Sequence, residues 1–349
     1  MPSIVTRMSQ RLPWLICLLP AALTIPLLSP AAGLAQPHAS AAAPAPSHKA
    51  KPQNPFGYTR RPIETPAVAP GEHDATYARP FLLRAIEPGN MTAIDVSAAF
   101  AKTRNSQVIS WIFAKAITDN LSLHLRWGLL YDIPKTGPRS DSFLNPSLGA
   151  LYTILRPSQN VRFGLLGSIT LPISTAAGDK PVAPAPDAIR KGVLARSSMD
   201  NAMFDANYIA PTLGAGVAYT TDEITTQAEV TVSEHILVRG KNVESDRART
   251  NLTAGLHFAY FPIHSLSLGV ELRYQQWLAG DAIRSGANNS AIDTWTLGFG
   301  PRAKWRIGEK HLWICPALSF TMGLNFPIGF GGAFAEEYRM VQVDVPLLF

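Results

Sequence analysis

Segments in which apolar side chains alternate with small or polar ones recur through most of this 349-residue chain. In the segment NLSLHLRWGLLY, apolar side chains occupy every second position: Leu121, Leu123, Leu125, Trp127 and Leu129. A period of two is that of a β-strand, whose side chains point alternately to its two faces. The intervening positions are mostly Gly, Ser, Thr or charged, so each strand is predicted to have one apolar and one polar face.

Twelve segments of this kind lie near residues 93–102, 107–117, 119–130, 146–156, 160–172, 207–220, 224–236, 250–261, 264–276, 292–306, 310–323 and 338–349. Apart from the first hairpin, short turns alternate with long connections between them. An antiparallel membrane barrel sorts its connections in this way, because one side keeps tight turns while the other carries elaborated loops. The sequence therefore predicts an all-β fold: a transmembrane, antiparallel, up-and-down β-barrel of about 12 strands.

The composition is consistent with a protein that is partly embedded in a membrane. Only 16% of the residues are charged, well under the roughly 25% of ordinary soluble domains. The formal charge is +6, which is a mild surplus, and no cluster of Lys and Arg interleaved with aromatic residues suggests nucleic acid as a partner. After the first 35 residues, no apolar run is long enough to predict a transmembrane helix.

The first 80 residues are predicted to precede the barrel. Arg7 and Arg11 stand before a long apolar run and the small residues AAGLAQ, the pattern of a secretory signal peptide over 1–35. Four prolines inside the run disfavour a retained membrane anchor. Residues 36–80 are rich in Pro and Ala and predict a disordered periplasmic linker, which leaves 81–349 for the barrel. Loss of the signal peptide leaves Cys315 as the single cysteine, so no intrachain disulfide is expected.

The end of the chain reads as one more strand, with apolar residues at every second position: Val341, Val343, Val345, Leu347 and Phe349. Pairing of this strand with the first one, near Ile94, would close the sheet and leave no edge in lipid. The pattern resembles the last strand of Gram-negative outer-membrane β-barrel proteins, which ends in Phe and is read as an assembly signal. Pro346 departs from it by removing one ladder donor.

That resemblance implies a location and a set of partners. The chain is expected in the outer membrane of a Gram-negative bacterium, exported through the periplasm. Its expected partners are the secretion and barrel-assembly machinery, outer-membrane lipid and lipopolysaccharide, and a small-molecule solute.

A narrower resemblance rests on the first half of the barrel. The turn and strand-end residues Thr118, Asp119, Asn120, Leu121, Leu171 and Pro172 are similar to the family of barrels described under the MetA pathway of phenol degradation. Ile173 stands where that family has glycine. The resemblance implies a passive channel or transporter for small, often aromatic or hydrophobic, compounds.

The alternation also predicts which charged side chains face the lumen: Asp95, His124, Arg126, Arg162, Glu229, His235, Glu271, Arg273, Arg302, Lys304 and Asp344. Two interpretations stay open: a polar track that orients a solute, or charges that only pair with one another. Alternate basic residues at Arg302, Lys304 and Arg306 would favour anionic solutes if they shared one wall, or would be solvated at a rim.

The long connection 173–206 carries Arg190, Lys191, Arg196, Met199, Met203 and Phe204. Of two interpretations, a mobile outer loop is preferred to an inward constriction. An inward-folded loop, or a tail threaded through the lumen, would favour the alternative function, a non-conducting structural or surface-interaction barrel.

An enzyme is the third class considered, because some twelve-stranded outer-membrane barrels are lipid hydrolases. Ser233 and His235 are the best candidates for a nucleophile and its base, but the sequence shows no third partner for them. The histidines show no metal-ligand spacing. The prediction is therefore no enzyme, no catalytic residue, no metal and no cofactor.

Overall fold

The computed structural model describes residues 77–155, 160–180, 189–190, 192–282, 293–308, 312–324 and 338–349. The predicted signal peptide and most of the predicted linker, through residue 76, lie outside these ranges. Their boundaries stay predictions.

Strand is the dominant secondary structure of the described residues. The strands are β1 (Met91–Phe100), β2 (Arg104–Ala116), β3 (Leu121–Pro134), β4 (Ser140–Phe143), β5 (Ser147–Leu155), β6 (Val161–Thr170), β7 (Tyr208–Thr220), β8 (Ile224–Leu237), β9 (Ala248–Ile263), β10 (Leu266–Ala279), β11 (Asp293–Ala303), β12 (Trp305–Ile307), β13 (Leu312–Ile314), β14 (Ala317–Leu324) and β15 (Arg339–Leu348). The described helical structure includes a 3₁₀ turn, Val193–Arg196, and a single turn α1, Asn201–Phe204. None of the helical structure described here is long and apolar enough to cross a membrane.

The strands form one closed antiparallel sheet. Neighbours follow the chain in the order β1-β2-β3-β5-β6-β7-β8-β9-β10-β11-β14-β15, and β15 pairs back onto β1. β12 and β13 extend the hairpin between β11 and β14, and β4 pairs with β3 beyond the part of β3 that pairs with β5. The described strands therefore make a twelve-stranded up-and-down barrel, as predicted, with β4 as an addition that the alternation did not indicate.

Closure occurs between the first and last strands. Ile94 lies opposite Val345, and the pairing runs from Met91 opposite Leu348 to Phe100 opposite Arg339. The prediction that the last strand closes the barrel near Ile94 is confirmed. No position of β1 is left without a cross-strand partner on either side.

The two faces of the wall have opposite character. On β15 the even-numbered residues from Met340 to Leu348 are buried in the lumen, and the odd-numbered ones face outward. Elsewhere on the outer face, large apolar side chains are openly exposed, with Leu213 at 73% and Leu256 at 57%. Such a belt cannot face water, whereas lipid accepts it at no cost. The chain is a transmembrane β-barrel of the outer-membrane type.

Connections are sorted between the two ends of the barrel. Antiparallel order places the tight turns 117–120, 221–223 and 264–265 at the end where Phe349 N–H donates to the carbonyl of Asn90. The long connections, such as 171–207, join strands at the opposite end. The predicted parity of short and long connections is confirmed, with the first hairpin as its exception.

The barrel wall is tight where β11 meets β14, and Gly300 tests this. A methyl group on Gly300 would overlap the carbonyl oxygen of Leu318, whereas one on Gly167 would lie 3.6 Å from the nearest atom, Leu213 Cδ2. We expect Gly300→Ala to cost about 1–3 kcal/mol, as overpacking does, and Gly167→Ala to leave stability unchanged. The measurement is the temperature at which each refolded barrel loses its fast-migrating gel band. Equal temperatures for both variants would contradict the packing described here.

Candidate functional site

Residues 77–88, the lumenal segment, run through the inside of the barrel. The backbone N–H groups of Phe81, Leu82 and Leu83 donate to the carboxylate of Glu271 on β10, at 2.7, 3.0 and 3.2 Å. Glu271 is fully buried, and the side chain of Arg273 on the same strand also donates to it. Three backbone donors without a sheet partner are thus satisfied by one carboxylate, through strong charge-assisted bonds.

A second carboxylate holds the same segment from β8. Glu229 accepts bonds from the backbone N–H and from Nη1 of Arg84, both at 2.8 Å. Next to it, Gln227 Nε2 donates to the carbonyl of Arg84 at 2.6 Å, and Tyr77 Oη donates to Gln227 Oε1 at 2.6 Å. Residues 77–80, which the sequence analysis assigned to the linker, therefore lie inside the barrel with the residues that follow them.

Glycines in the wall make room for the segment. A methyl group on Gly216 would lie 2.5 Å from Ile86 Cδ1, and one on Gly164 would lie 2.5 Å from Ile86 Cγ2. A methyl group on Gly255 would overlap Leu83 in the same way. The small residues on the polar strand faces thus form a socket for apolar side chains of the lumenal segment.

Residues 192–207, the inward loop, occupy the lumen from the end with the long connections. Arg196 is 2% exposed, and its guanidinium binds Asp95 Oδ2 at 2.5 Å and Asp200 Oδ2 at 3.0 Å. Arg126 on β3 pairs with Asp200 as well, at 2.9 Å. Burial opposes the charged form of Asp200, but the neighbouring Arg126 and Arg196 outweigh it and hold the pKa of that carboxyl well below its usual range.

The prediction of a mobile outer loop is wrong for this part of the 173–206 connection. Met199, Met203 and Phe204 are buried, and Phe204 and Met203 pack in one cluster with Leu130 of β3. The physical reason is that wall charges find their counter-ions on the loop. Arg190 instead lies at the surface, where it pairs with Glu244 at 2.6 Å, and Lys191 is outside the described residues.

The structure places the predicted lumen-facing residues against the following groups: Asp95 with Arg196, His124 with Ser122, Arg126 with Asp200, Arg162 over the Tyr77 ring, Glu229 with Arg84, His235 with Asp205, Glu271 with residues 81–83 and Arg273, Arg302 with Asp344, and Lys304 over the Trp313 ring. Most of these partners belong to the lumenal segment or the inward loop. The sequence analysis interpreted these charges either as a polar track for a solute or as charges that pair only with one another. Neither interpretation included partners on chain segments inside the lumen.

The predicted basic wall is interrupted. β11 ends at Ala303 and β12 begins at Trp305, so Arg302 and Arg306 belong to different strands. Arg302 pairs with Asp344 at 2.9 Å and also donates to the carbonyl of Pro80. Its charge is therefore compensated, which removes the basis for a row of uncompensated positive charges there.

A cavity of about 190 Å³ lies between the lumenal segment, the inward loop and the wall. Its apolar lining includes Ile112, Leu151, Leu166 and Met199, and the guanidinium of Arg126 reaches it from β3. Within the described residues, Nε and Nη2 of Arg126 have no hydrogen-bond partner. The cavity is therefore lined by apolar side chains and by charged ones, among them Arg84, Asp95, Asp200 and Asp344.

Ser233, which also lines this cavity, begins a chain of hydrogen bonds. Its Oγ lies 2.9 Å from Nε2 of His235, and Nδ1 of His235 lies 2.7 Å from Oδ2 of Asp205 in the inward loop. Arg249 Nη1 holds the other oxygen of Asp205 at 3.2 Å. The expectation that Ser233 and His235 lack a third partner is wrong. Asp205 was missed because it lies on a connection, where no strand period shows which way a side chain points.

A metal site is a separate question. In the described ranges, no group of three or more His, Cys, Asp or Glu side chains is placed to hold a metal ion.

Neither a family model nor a curated protein matches this chain. Solved structures similar in shape include the KdgM porin in complex with disordered oligogalacturonate, at 10% identity, TM-score 0.41, and coverage of 74% of this chain and 99% of that one. An outer membrane channel from Pseudomonas putida F1 has 12% identity and a TM-score of 0.47, with coverage of 75% of this chain and 96% of that one. The CymD monoaromatic hydrocarbon channel has 9% identity and a TM-score of 0.36, with coverage of 79% of this chain and 95% of that one. At such distant likeness these structures carry no argument about function, and the resemblance to the phenol-degradation barrels stays a prediction.

The buried ion pair of Arg196 predicts how firmly the inward loop is held. Arg196→Met leaves Asp95 without its counter-ion, and removal of one partner from a buried pair costs about 3–5 kcal/mol. We expect faster amide hydrogen exchange across residues 192–207. The control is Arg190→Met, which removes an exposed pair worth about 0–1 kcal/mol and should leave exchange in the loop unchanged. Unchanged exchange in the Arg196 variant would mean that other contacts hold the loop.

Proposed function

We propose that this barrel is a passive channel or transporter for small molecules, and that the state described here is its closed state. The observation that carries the proposal is that two chain segments occupy the lumen, where they contact the inward-facing side chains of the wall. An eight-stranded barrel fills its interior with its own side chains, whereas twelve strands enclose more space. Here the wall presents glycines to that space, and a removable segment occupies it.

The contacts that hold the lumenal segment are suited to release. Beside apolar contacts, they include hydrogen bonds and ion pairs from Glu229, Glu271 and Gln227. Water entering the lumen can replace such bonds, so opening exchanges one set of hydrogen bonds for another. Water could not replace the contacts of a segment that was held only by a large apolar core.

The cavity suggests the class of solute. Its apolar lining, which includes Ile112, Leu151 and Leu166, accepts a hydrocarbon body, and charged side chains such as Arg84 line it as well. The apolar part suits small aromatic or hydrophobic compounds, and the charged part suits a polar group on them. The same class is implied by the resemblance to the phenol-degradation barrels.

The alternative, a non-conducting structural or surface-interaction barrel, is favoured by the same two segments if they never leave the lumen. The sequence analysis named an inward loop or a threaded tail as the feature that would support it; the inward loop and residues 77–80 of that tail lie in the lumen. Conductance distinguishes the two functions, because only a channel needs an open state.

The test is single-channel conductance in a planar bilayer, with the unaltered protein and the double variant Glu229→Gln, Glu271→Gln. The amides lose the charge-assisted bonds to the lumenal segment, each worth about 1.5–3 kcal/mol. We therefore expect the open time to rise by about tenfold or more. Glu223→Gln, which removes an exposed acid from a tight turn, is the matched control.

Three results decide the matter, given an intact heat-modifiable gel band for each protein. Steady current steps that lengthen only in the double variant support a channel closed by the lumenal segment. Equal open times in all three proteins would show that the segment does not gate the pore. Silence in all three would favour the non-conducting barrel.

A further inference from the structure

Beyond transport, the geometry points to Ser233 as an activated nucleophile that accepts the acyl group of small esters admitted to the cavity, with His235 as its base and Asp205 positioning that base. The order of the contacts, Ser233 Oγ to His235 Nε2 and His235 Nδ1 to Asp205 Oδ2, is the order that nucleophilic serine chemistry requires. Three separate parts of the geometry support the assignment.

The first is the direction of the hydrogen bonds. Asp205 is paired with Arg249, and a carboxylate only accepts hydrogen bonds. His235 Nδ1 must then be the donor, and in the neutral imidazole Nε2 is left as the acceptor. The hydroxyl of Ser233 therefore donates to Nε2, which is the arrangement from which an imidazole can take its proton.

The second is the placement of each group relative to the cavity. Ser233 lines the cavity, whereas His235 is fully buried behind it, with its ring 5.0 Å from that of Trp277 in an edge-to-face contact. The nucleophile is thus accessible to a ligand in the cavity, while the base is fixed and shielded. A pair that merely filled space would not need this order.

The third is a comparison within the same barrel. Ser122 and His124 have the same spacing on β3 and a similar contact, with Ser122 Oγ 2.8 Å from His124 Nε2. In the described part of the chain, no carboxylate is hydrogen-bonded to His124. Of the two Ser-x-His pairs, the one with the carboxylate is the one at Ser233.

The step balances without any added reagent except water. Ser233 Oγ bonds to the acyl carbon and its proton moves to His235 Nε2; the ester C–O bond then breaks and the leaving alkoxide takes that proton. Water, deprotonated by the same imidazole, releases the acid and restores Ser233. The cavity-lining amides of Asn201 and Asn251 already donate to Gln275, so stabilisation of the oxyanion is weak and turnover is expected to be slow.

The experiment therefore measures labelling of the nucleophile and not turnover. The refolded full-length protein is treated with a small alkyl fluorophosphonate; Ser233 Oγ bonds to phosphorus, fluoride leaves, and mass spectrometry locates the label. We expect one label per chain, on Ser233. Ser233→Ala should abolish it, Ser122→Ala should leave it unchanged, and Asp205→Asn should slow it by about 10²- to 10⁴-fold.

A structural role for Asp205 is distinguished by the pH dependence of labelling. Among the described residues, the charged groups next to the imidazole include Asp205, which is hydrogen-bonded to it, and Arg249, which pairs with Asp205, Glu244 and Asp246. Asp205→Asn should shift that profile, whereas a merely structural defect lowers the rate without a shift. Every variant must keep the heat-modifiable gel band. Absence of label from Ser233 in the unaltered protein, or equal labelling of Ser122, would overturn the proposal, and neither result bears on conductance.

Discussion

Closure of the sheet is the constraint on which the rest of the structure depends. A strand edge in lipid would leave its backbone donors and acceptors unpaired, so the wall must be continuous. The pairing of Met91–Phe100 with Arg339–Leu348 meets that requirement over ten positions. It also fixes the number of strands at twelve and hence the width of the interior. That width leaves a lumen which the Gly, Ser and Thr of the wall do not fill.

The lumenal segment brings backbone N–H groups into the barrel that have no partner in a sheet or helix, and buried carboxylates accept their hydrogen bonds. The lumenal segment has no secondary structure, so its N–H groups need acceptors from the wall. Glu271 and Glu229 would in turn be costly to bury as bare charges. The N–H groups of residues 81–84 and the two carboxylates satisfy each other, with Arg273 and Arg84 balancing the charge. Neither the segment nor the acids would be stable in the lumen alone.

The part of the fold that the sequence could predict is the part governed by a period. Alternation identified the strands, their inner and outer faces and the closing pair, since each residue of a strand points to a known side. It could not identify what Glu271 binds, because its partners are backbone N–H groups that leave no trace in side-chain pattern. Asp205 and Arg196 were equally hidden, because they lie on an aperiodic connection. The roles of Asp205 and Arg196 can be assigned only once their partners on the wall, His235 and Asp95, are known.

Two wall side chains join the lumenal segment and the inward loop into one network. Gln342 Nε2 donates both to the carbonyl of Phe81 in the segment and to Asp95, the carboxylate that holds Arg196 of the loop. Arg273 donates both to Glu271, which holds the segment, and to Ser197 of the loop. Groups that share partners in this way are not independent, because withdrawal of one segment leaves polar atoms of the other unpaired. Release of one segment from the lumen is therefore expected to destabilise the other, although each segment enters from its own part of the chain.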